Sequence, residues 1–270
     1  MSYRHGNIRR GRGRRSRVTQ IPNDLLAAFQ LLTRLPVARF TQPDAPPNLA
    51  RCVWAFSLVG LVVNAVGGLV YWLSHWLAMP PLLAAVWALA TTMVMTGALH
   101  EDGLADTADG FGGGDTAERT LRIMRDSHIG AYGALALLIS VLARVTAIAE
   151  LGDPQRVMVA FCLAGMLGRA GILVLLLALR PARDDGMGAA IAAASPGHIW
   201  AGLVIAVIAC LVAVPAKTAI AMIAAALIVS LAVVRLAKRQ IDGYTGDVLG
   251  ACEVIVECVV LTIAASAPLF

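Results

Sequence analysis

Residues 52–99 restrict the fold more than any other part of the chain, because they include no Asp, Glu, Lys or Arg. An uncharged, mostly apolar stretch of this length is enough for two membrane-spanning helices of roughly 20 residues each. The neighbouring Pro80 and Pro81 lie near its middle, and proline interrupts a continuing helix. We therefore predict two transmembrane helices that are joined at these prolines.

Further apolar runs follow at 131–149, 157–179, 199–216, 218–234 and 248–269. Hydrophobic residues make up 59% of the chain and charged residues 14%, which exceeds what a soluble domain of this length needs for one core. Only helices and closed barrels span a bilayer, and these runs have helical length. The predicted fold class is all-α: a polytopic integral membrane helix bundle with about seven transmembrane helices, within a range of six to eight.

The N-terminal region has a different composition. Seven arginines lie within residues 1–17 without an apolar run, so we predict a basic, disordered cytoplasmic arm over residues 1–20. We expect this arm to contact anionic lipid head groups, at about 1 kcal/mol per basic residue, and we do not expect a nucleic-acid partner. Residues 24–34 predict a short helix that lies at the membrane interface.

Basic residues indicate the orientation of the bundle. With seven spans, 18 of the 22 Lys and Arg fall in segments on one side of the membrane, and only Arg156 and Lys217 fall on the other. Loops rich in Lys and Arg face the cytoplasm. We therefore predict that the N-terminus and the segment from 99 to 130 are cytoplasmic.

The segment LHEDGLADTADG (99–110) carries three aspartates in a helical period. Asp102, Asp106 and Asp109 lie at i, i+4 and i+7, so a helix would project their carboxylates from one face. These like charges repel one another unless a cation lies among them, and hard oxygen ligands without Cys or His favour Mg²⁺. The motif indicates a metal-held diphosphate, and the alternative is an exposed acidic loop.

Other polar clusters fall on the same predicted side. RDSHIGAYG (125–133), LRPARDDGMG (179–188) and IDGYTGDVLGACEVIVE (241–257) each begin or end an apolar run. We expect substrate contacts from Arg125, His128, Arg169, Arg180, Tyr244 and Thr245. Glu253 and Glu257 share one face of an apolar helix, and acids at that depth need a metal, a cation or a wet cavity. For Arg144 we favour pairing with one of these acids, whereas Arg169 is equally compatible with phosphate binding.

Three motifs together, HEDGLADTADG, RDSHIGAYG and GYTGDVLGA, resemble those of the cobalamin synthase family, the adenosylcobinamide-GDP ribazoletransferases. The resemblance extends over about residues 20–265 in the same order and implies a single membrane-embedded catalytic domain over 21–270. It assigns Asp102, Asp106 and Asp109 to the metal and diphosphate site, joined by Asp126 and Asp247. We add Glu253 to this metal set, as an alternative to its pairing with Arg169. His128 stands where the family more often has arginine.

Such an enzyme joins adenosylcobinamide-GDP to α-ribazole or its 5′-phosphate and releases GMP. The resemblance implies Mg²⁺ as the cofactor, membrane lipid as the surroundings and the bacterial inner membrane as the location, with a cytoplasmic active site. A carboxylate or His100 would take the proton of the attacking hydroxyl, and a helix-end hydrogen bond is the alternative role for His100. The sequence leaves the oligomeric state open, a homo-oligomer included.

Two other functions use similar residues. A CDP-alcohol phosphotransferase or a prenyltransferase would share the metal chemistry, but Asp102-Gly103 is not followed by the arginine of the CDP-alcohol pattern. An ion-coupled transporter could use the intramembrane charges of Arg169, Glu253 and Glu257. The chain shows no internal repeat of the Asp motif, which weighs against the transporter.

Overall fold

The structure is a computed structural model that describes residues 17–40 and 48–267. Within these ranges the chain is helical, and the backbone forms one isolated bridge and no strand. In chain order the α-helices are α1 (Arg17–Leu32), α2 (Phe56–Trp76), α3 (Pro81–Thr96), α4 (Leu99–Gly113), α5 (Ala117–Ile123), α6 (Ala131–Leu151), α7 (Pro154–Ala178), α8 (Gly186–Ala190), α9 (Pro196–Ala213), α10 (Ala216–Ile241) and α11 (Gly246–Ser266). Short 3₁₀ turns occupy Val37–Phe40 and Cys52–Ala55.

Membrane-spanning helices account for most of the chain, as predicted. Six helices are long and apolar enough to cross a bilayer, namely α6, α7, α9, α10, α11 and α2 with the turn before it. Helices α3 and α4 qualify together as a seventh span that is bent by 88°. The all-α, polytopic membrane fold is therefore confirmed, with a count of six or seven.

The bend between α3 and α4 is the main departure from two simple spans in residues 52–99. Gly97 and Ala98 both adopt left-handed backbone angles, with φ of 68° and 53°, and such residues end an α-helix. Helix α3 has 16 residues and measures about 24 Å at 1.5 Å per residue, less than the ~30 Å hydrocarbon core. The chain thus turns within the bundle, and the Asp motif starts directly after the turn.

Helix α1 begins at Arg17, seven residues before the predicted start of the N-terminal helix and inside the predicted arm. The arginine-rich residues 1–16 and the last three residues lie outside the described ranges. The predicted arm at 1–16 and the boundaries of the catalytic domain stay predictions.

Helix α7 forms the centre of the bundle, where it packs against α2 and α11. Gly165 and Gly168 make this packing possible. A Cβ atom on Gly165 would lie 2.5 Å from the Asn64 side chain, and one on Gly168 would lie 3.1 Å from the Glu253 carbonyl oxygen. The small residues therefore bring the α7 backbone against polar side chains of its neighbours, as small-residue interfaces do in membranes.

Helix α4 packs against α6 and α11. The closest approach is at Gly103, where a Cβ atom would lie 2.7 Å from the Asp247 carbonyl oxygen. Just before α11, Tyr244 exchanges backbone hydrogen bonds with the chain after α7: its N–H donates to the Arg180 carbonyl at 2.9 Å, and its carbonyl accepts from the Ala182 N–H at 2.8 Å. The first turns of α4 and α11 and the segment before α8 are thus held together.

Candidate active site

A cavity of about 350 Å³ opens where these three elements meet. Its wall includes Asp102 from α4, Asp247 from α11 and Arg183 from the segment before α8. Tyr244 and Thr245, two of the predicted substrate contacts, also line it. The remaining wall is largely apolar and comes from α1, α2, α7, α8 and α11. This combination of an apolar cavity with a few convergent polar groups is typical of a small-molecule site.

The aspartates of α4 face the first turn of α11. The Asp106 carboxyl interacts electrostatically with those of Asp102, Asp247 and Asp109, and also with the Arg183 guanidinium. Asp102 is exposed and Asp106 half-buried. Among the described residues neither carboxylate has a hydrogen-bond or salt-bridge partner. The structure therefore brings the predicted Asp247 to the Asp motif, although more than 130 residues separate them in sequence.

Asp109 has a different environment from the other two acids of the motif. Its two carboxylate oxygens accept hydrogen bonds from the Gly130 N–H at 2.7 Å and the Gly133 N–H at 2.9 Å, at the start of α6. A carboxylate there satisfies otherwise unpaired N–H groups and interacts favourably with the helix dipole. Asp109 thus fastens α4 to α6, and its predicted place in the metal site stays a prediction.

Arg183 is a functional candidate that the sequence analysis left out, because it chose Arg180, three residues earlier, as the substrate contact. The Arg183 guanidinium donates to the Asp247 carboxylate at 2.7 Å and lines the cavity, whereas Arg180 contributes its backbone carbonyl to the pairing with Tyr244. Thr245 donates its hydroxyl to Asp247 at 3.1 Å and accepts from the Val248 N–H, which caps α11. The basic pair in LRPARDDGMG was the sequence feature that could have pointed to Arg183. Spacing alone, however, does not show which of the two arginines turns towards the cavity.

The RDSHIGAYG motif lies beside the cavity and does not line it. Arg125 forms an exposed ion pair with Asp185, at 2.8 Å, and Asp185 belongs to the cavity wall. Asp126 accepts from the His128 ring at 2.6 Å and from the His128 backbone N–H. These two hydrogen bonds hold the pKa of Asp126 below its ordinary value. Asp126 and His128 thus partner each other on the surface.

Buried charges form a network inside the bundle. Arg144 donates to Glu101 at 2.9 Å and to Glu257 at 3.3 Å, and Arg169 donates to Glu257 at 3.1 Å and also pairs with Glu253. All five side chains are almost fully buried. The predicted pairing of Arg144 is confirmed. Arg169 is enclosed by the two glutamates and does not line the cavity, so the structure favours packing and pairing over phosphate contact.

The sequence analysis missed Glu101, because Glu101 lies next to Asp102 and sequence alone does not show that its side chain points to the interior.

His100 joins the network to the cavity. Its Nδ1 lies 3.6 Å from a Glu253 oxygen, and its buried Nε2 has no hydrogen-bond partner among the described residues. His100 lines the cavity as well as the small polar pocket around the network.

The residues can be tested against the predicted Mg²⁺. Asp102 and Asp106 supply carboxylate oxygens without an internal partner, and Asp247 lies beside them, so the donor chemistry fits a hard cation. Several predicted ligands already have protein partners: Glu253 pairs with Arg169, Asp109 with the start of α6, and Asp247 with Arg183. In residues 17–40 and 48–267, no group of three or more His, Cys, Asp or Glu side chains is already arranged to hold a metal. The fit is therefore one of donor type only, and Asp102, Asp106 and Asp247 are the candidate ligands.

Comparison with known proteins identifies the family. The model of the family described as cobalamin-5-phosphate synthase, CobS, matches residues 24–265. An adenosylcobinamide-GDP ribazoletransferase of Bradyrhizobium diazoefficiens is 46% identical over 245 residues, which cover 90% of this chain and 93% of that protein. Proteins of the same name from Azorhizobium caulinodans and Mesorhizobium japonicum are 42% and 40% identical, over 89% and 92% of this chain and 94% and 95% of their own lengths. No solved structure matches the chain significantly. A family match over nearly the whole chain, together with the three motifs, shows that this membrane protein belongs to the cobalamin-5-phosphate synthase family.

Proposed function

We propose that this chain joins adenosylcobinamide-GDP to α-ribazole, or to its 5′-phosphate, with release of GMP. The observation that carries the proposal is the meeting of Asp102 and Asp106 with Asp247 beside a cavity that Asp102 and Asp247 line. Two of the three carboxylates have no protein partner, an arrangement that repels an anionic diphosphate unless a cation is present. The relatives that match along almost the full chain carry the name of this activity.

Phosphoryl transfer requires mainly positioning and charge neutralisation. Asp102, Asp106 and Asp247 would hold Mg²⁺, which supplies Lewis-acid stabilisation of the charge on the diphosphate. Arg183 now pairs with Asp247 at 2.7 Å. As the diphosphate enters, this guanidinium can turn from the carboxylate to a phosphate oxygen, which it binds with the same donors. Arg183 would thereby neutralise charge on the leaving GMP.

The transfer step forms one P–O bond and breaks another. The ribazole hydroxyl oxygen attacks the phosphorus nearer the cobinamide, and the bond from that phosphorus to the GMP oxygen breaks. The hydroxyl proton needs an acceptor, and the wall of the cavity offers two candidate groups. These are the Asp102 carboxylate and His100 Nε2, neither of which has a partner in the described part of the chain.

The location of the reaction follows from topology. The site lies at the bundle end formed by the start of α6, the end of α7 and the start of α11, next to the basic segments at 119–125, 180–183 and 235–239. The distribution of Lys and Arg supports a cytoplasmic site in the bacterial inner membrane. Both substrates would then enter from the cytoplasm.

The experiment is an assay of the full chain in lipid nanodiscs. Adenosylcobinamide-GDP and α-ribazole are added with and without Mg²⁺, and GMP release and the corrinoid product are measured by liquid chromatography. We expect both products in equal amounts and only when Mg²⁺ is present. Turnover that is undiminished in EDTA would remove Mg²⁺ from the proposal. Absence of product, combined with uptake of labelled substrate into proteoliposomes, would favour a transporter.

A further inference from the structure

The cavity changes in character from its mouth to its interior. Asp102 and Asp185 are exposed at the mouth, close to Asp247 and Arg183. Among its other lining residues, Phe56, Ile172 and Ile191 are no more than 3% exposed. The exposed charged groups therefore mark the opening, and the enclosed part of the wall is mainly apolar, with His100 and Thr245 as buried polar members.

Size distinguishes between the two substrates. A cavity of about 350 Å³ lies near the lower limit of the ~300–1,000 Å³ that enclose a drug-sized ligand. Adenosylcobinamide-GDP combines a corrin macrocycle with a nucleoside diphosphate and is much larger than such a ligand. α-Ribazole is a fused, apolar aromatic base on one ribose, which matches both the volume and the apolar interior.

We propose that this cavity is the binding site of the acceptor nucleoside. Its aromatic base lies in the enclosed part, against Phe56, Ile172 and Ile191, and its ribose hydroxyl is directed towards Asp102 and Asp247. The corrin ring stays outside the cavity, and only the diphosphate of the donor reaches the acids at the mouth. This inference rests on the proposed function and adds which substrate occupies the interior.

Two neighbouring alanines of α8 offer a matched test. Ala189 lines the cavity and is half-buried, whereas Ala190 is exposed and does not line it. A phenylalanine at 189 adds a ring where the base would lie. The same change at 190 alters α8 to the same extent on its solvent side. Neither residue belongs to the charged groups of the proposed reaction.

Steady-state kinetics in nanodiscs, with each substrate varied in turn, tests the proposal. For Ala189→Phe we expect the KM for α-ribazole to rise by about tenfold or more, which corresponds to ~1.4 kcal/mol of lost binding. The KM for adenosylcobinamide-GDP should stay within about twofold, a change well below that scale. Free 5,6-dimethylbenzimidazole is the aromatic base of α-ribazole without its ribose. It should inhibit the wild type competitively against α-ribazole and inhibit Ala189→Phe far more weakly. Ala190→Phe should behave as the wild type in all three measurements.

The outcomes separate this inference from the proposed function. If the wild type turns over normally and Ala189→Phe raises only the KM for adenosylcobinamide-GDP, the acceptor site is overturned and the proposed function stays intact. If the wild type forms no product, equilibrium dialysis with 5,6-dimethylbenzimidazole tests the cavity directly, and equal binding to wild type and Ala189→Phe would overturn it. If Ala189→Phe does not fold, Ile191→Ala removes an apolar wall group. That variant should weaken inhibition by dimethylbenzimidazole, and unchanged inhibition would count against the proposal.

Discussion

At the scale of single residues, the three aspartates of α4 separate into two roles. Asp102 and Asp106 are unpartnered, whereas both oxygens of Asp109 are bonded to backbone N–H groups of α6. A motif with helical spacing therefore contains two carboxylates that are free to bind a cation and one that links two helices. The distinction matters because a change to asparagine should have different effects at the two kinds of position.

Asp102→Asn and Asp106→Asn should each abolish turnover and leave the protein folded and inserted. Amide oxygens neutralise none of the charge of the cation, and the loss of several kcal/mol of transition-state stabilisation corresponds to roughly 10³-fold or more in rate. GMP release in nanodiscs measures the effect. Asp115→Asn is the matched control, because Asp115 is an exposed acid that pairs with Arg119 after the end of α4. Near-normal turnover in both variants would remove these residues from the metal site.

For Asp109→Asn we expect the main loss in stability. The amide retains one acceptor oxygen, so one of the two N–H bonds at the start of α6 is lost, together with the charge that favours this helix end. Such changes cost about 1–2 kcal/mol. Thermal unfolding in detergent should show a lower midpoint, and the Mg²⁺ concentration for half-maximal rate should stay close to that of the wild type. An unchanged midpoint with a large shift in Mg²⁺ dependence would instead make Asp109 a ligand.

At the scale of helices, α4, α6, α7 and α11 are held together by the buried ion-pair network. Glu257 links both arginines and also accepts from the Asn64 side-chain amide at 3.1 Å. Removing one partner of a buried pair leaves an uncompensated charge and costs about 3–5 kcal/mol. We expect Glu257→Gln to lower the unfolding midpoint strongly, while the folded fraction retains its KM values.

Glu150→Gln serves as the control for that variant, because Glu150 is exposed near the end of α6. The folded fraction can be measured by size-exclusion chromatography before each assay. A Glu257→Gln protein of normal stability but with no turnover would place Glu257 in the reaction and contradict the structural role.

At the scale of the whole molecule, the fold places the site at one end of the helix bundle. Single cysteines introduced into a cysteine-free variant can test this topology with a membrane-impermeant maleimide on intact cells. We expect labelling from outside at Gln155 and Lys217, in the first turns of α7 and α10, and protection at Asp115 and Asp184, which lie in connecting segments. The expectation rests on 18 basic residues against two. Outside labelling at Asp184 would contradict the shared cytoplasmic site.

The helices of this protein and its family membership could both be predicted from the local sequence. Uncharged runs of membrane length, the prolines at 80 and 81 and the distribution of Lys and Arg depend on neighbouring residues alone, since each span satisfies its own backbone hydrogen bonds. The predicted runs accordingly match α2, α3, α6, α7, α9, α10 and α11 within a few residues at most of their ends. The family followed from three long motifs, which need no folding to be recognised.

Only the tertiary structure decided which side chains act together. Asp109 and Asp106 have the same local pattern, but the start of α6 lies against Asp109 alone. Arg180 and Arg183 are three residues apart, and the backbone pairing with Tyr244 turns Arg183 towards Asp247. Glu101 points into the bundle because Arg144, 43 residues away, is buried there. Such contacts join residues that are distant in sequence, and the packing of the helices, set in part by Gly103 and Gly168, determines which of them meet.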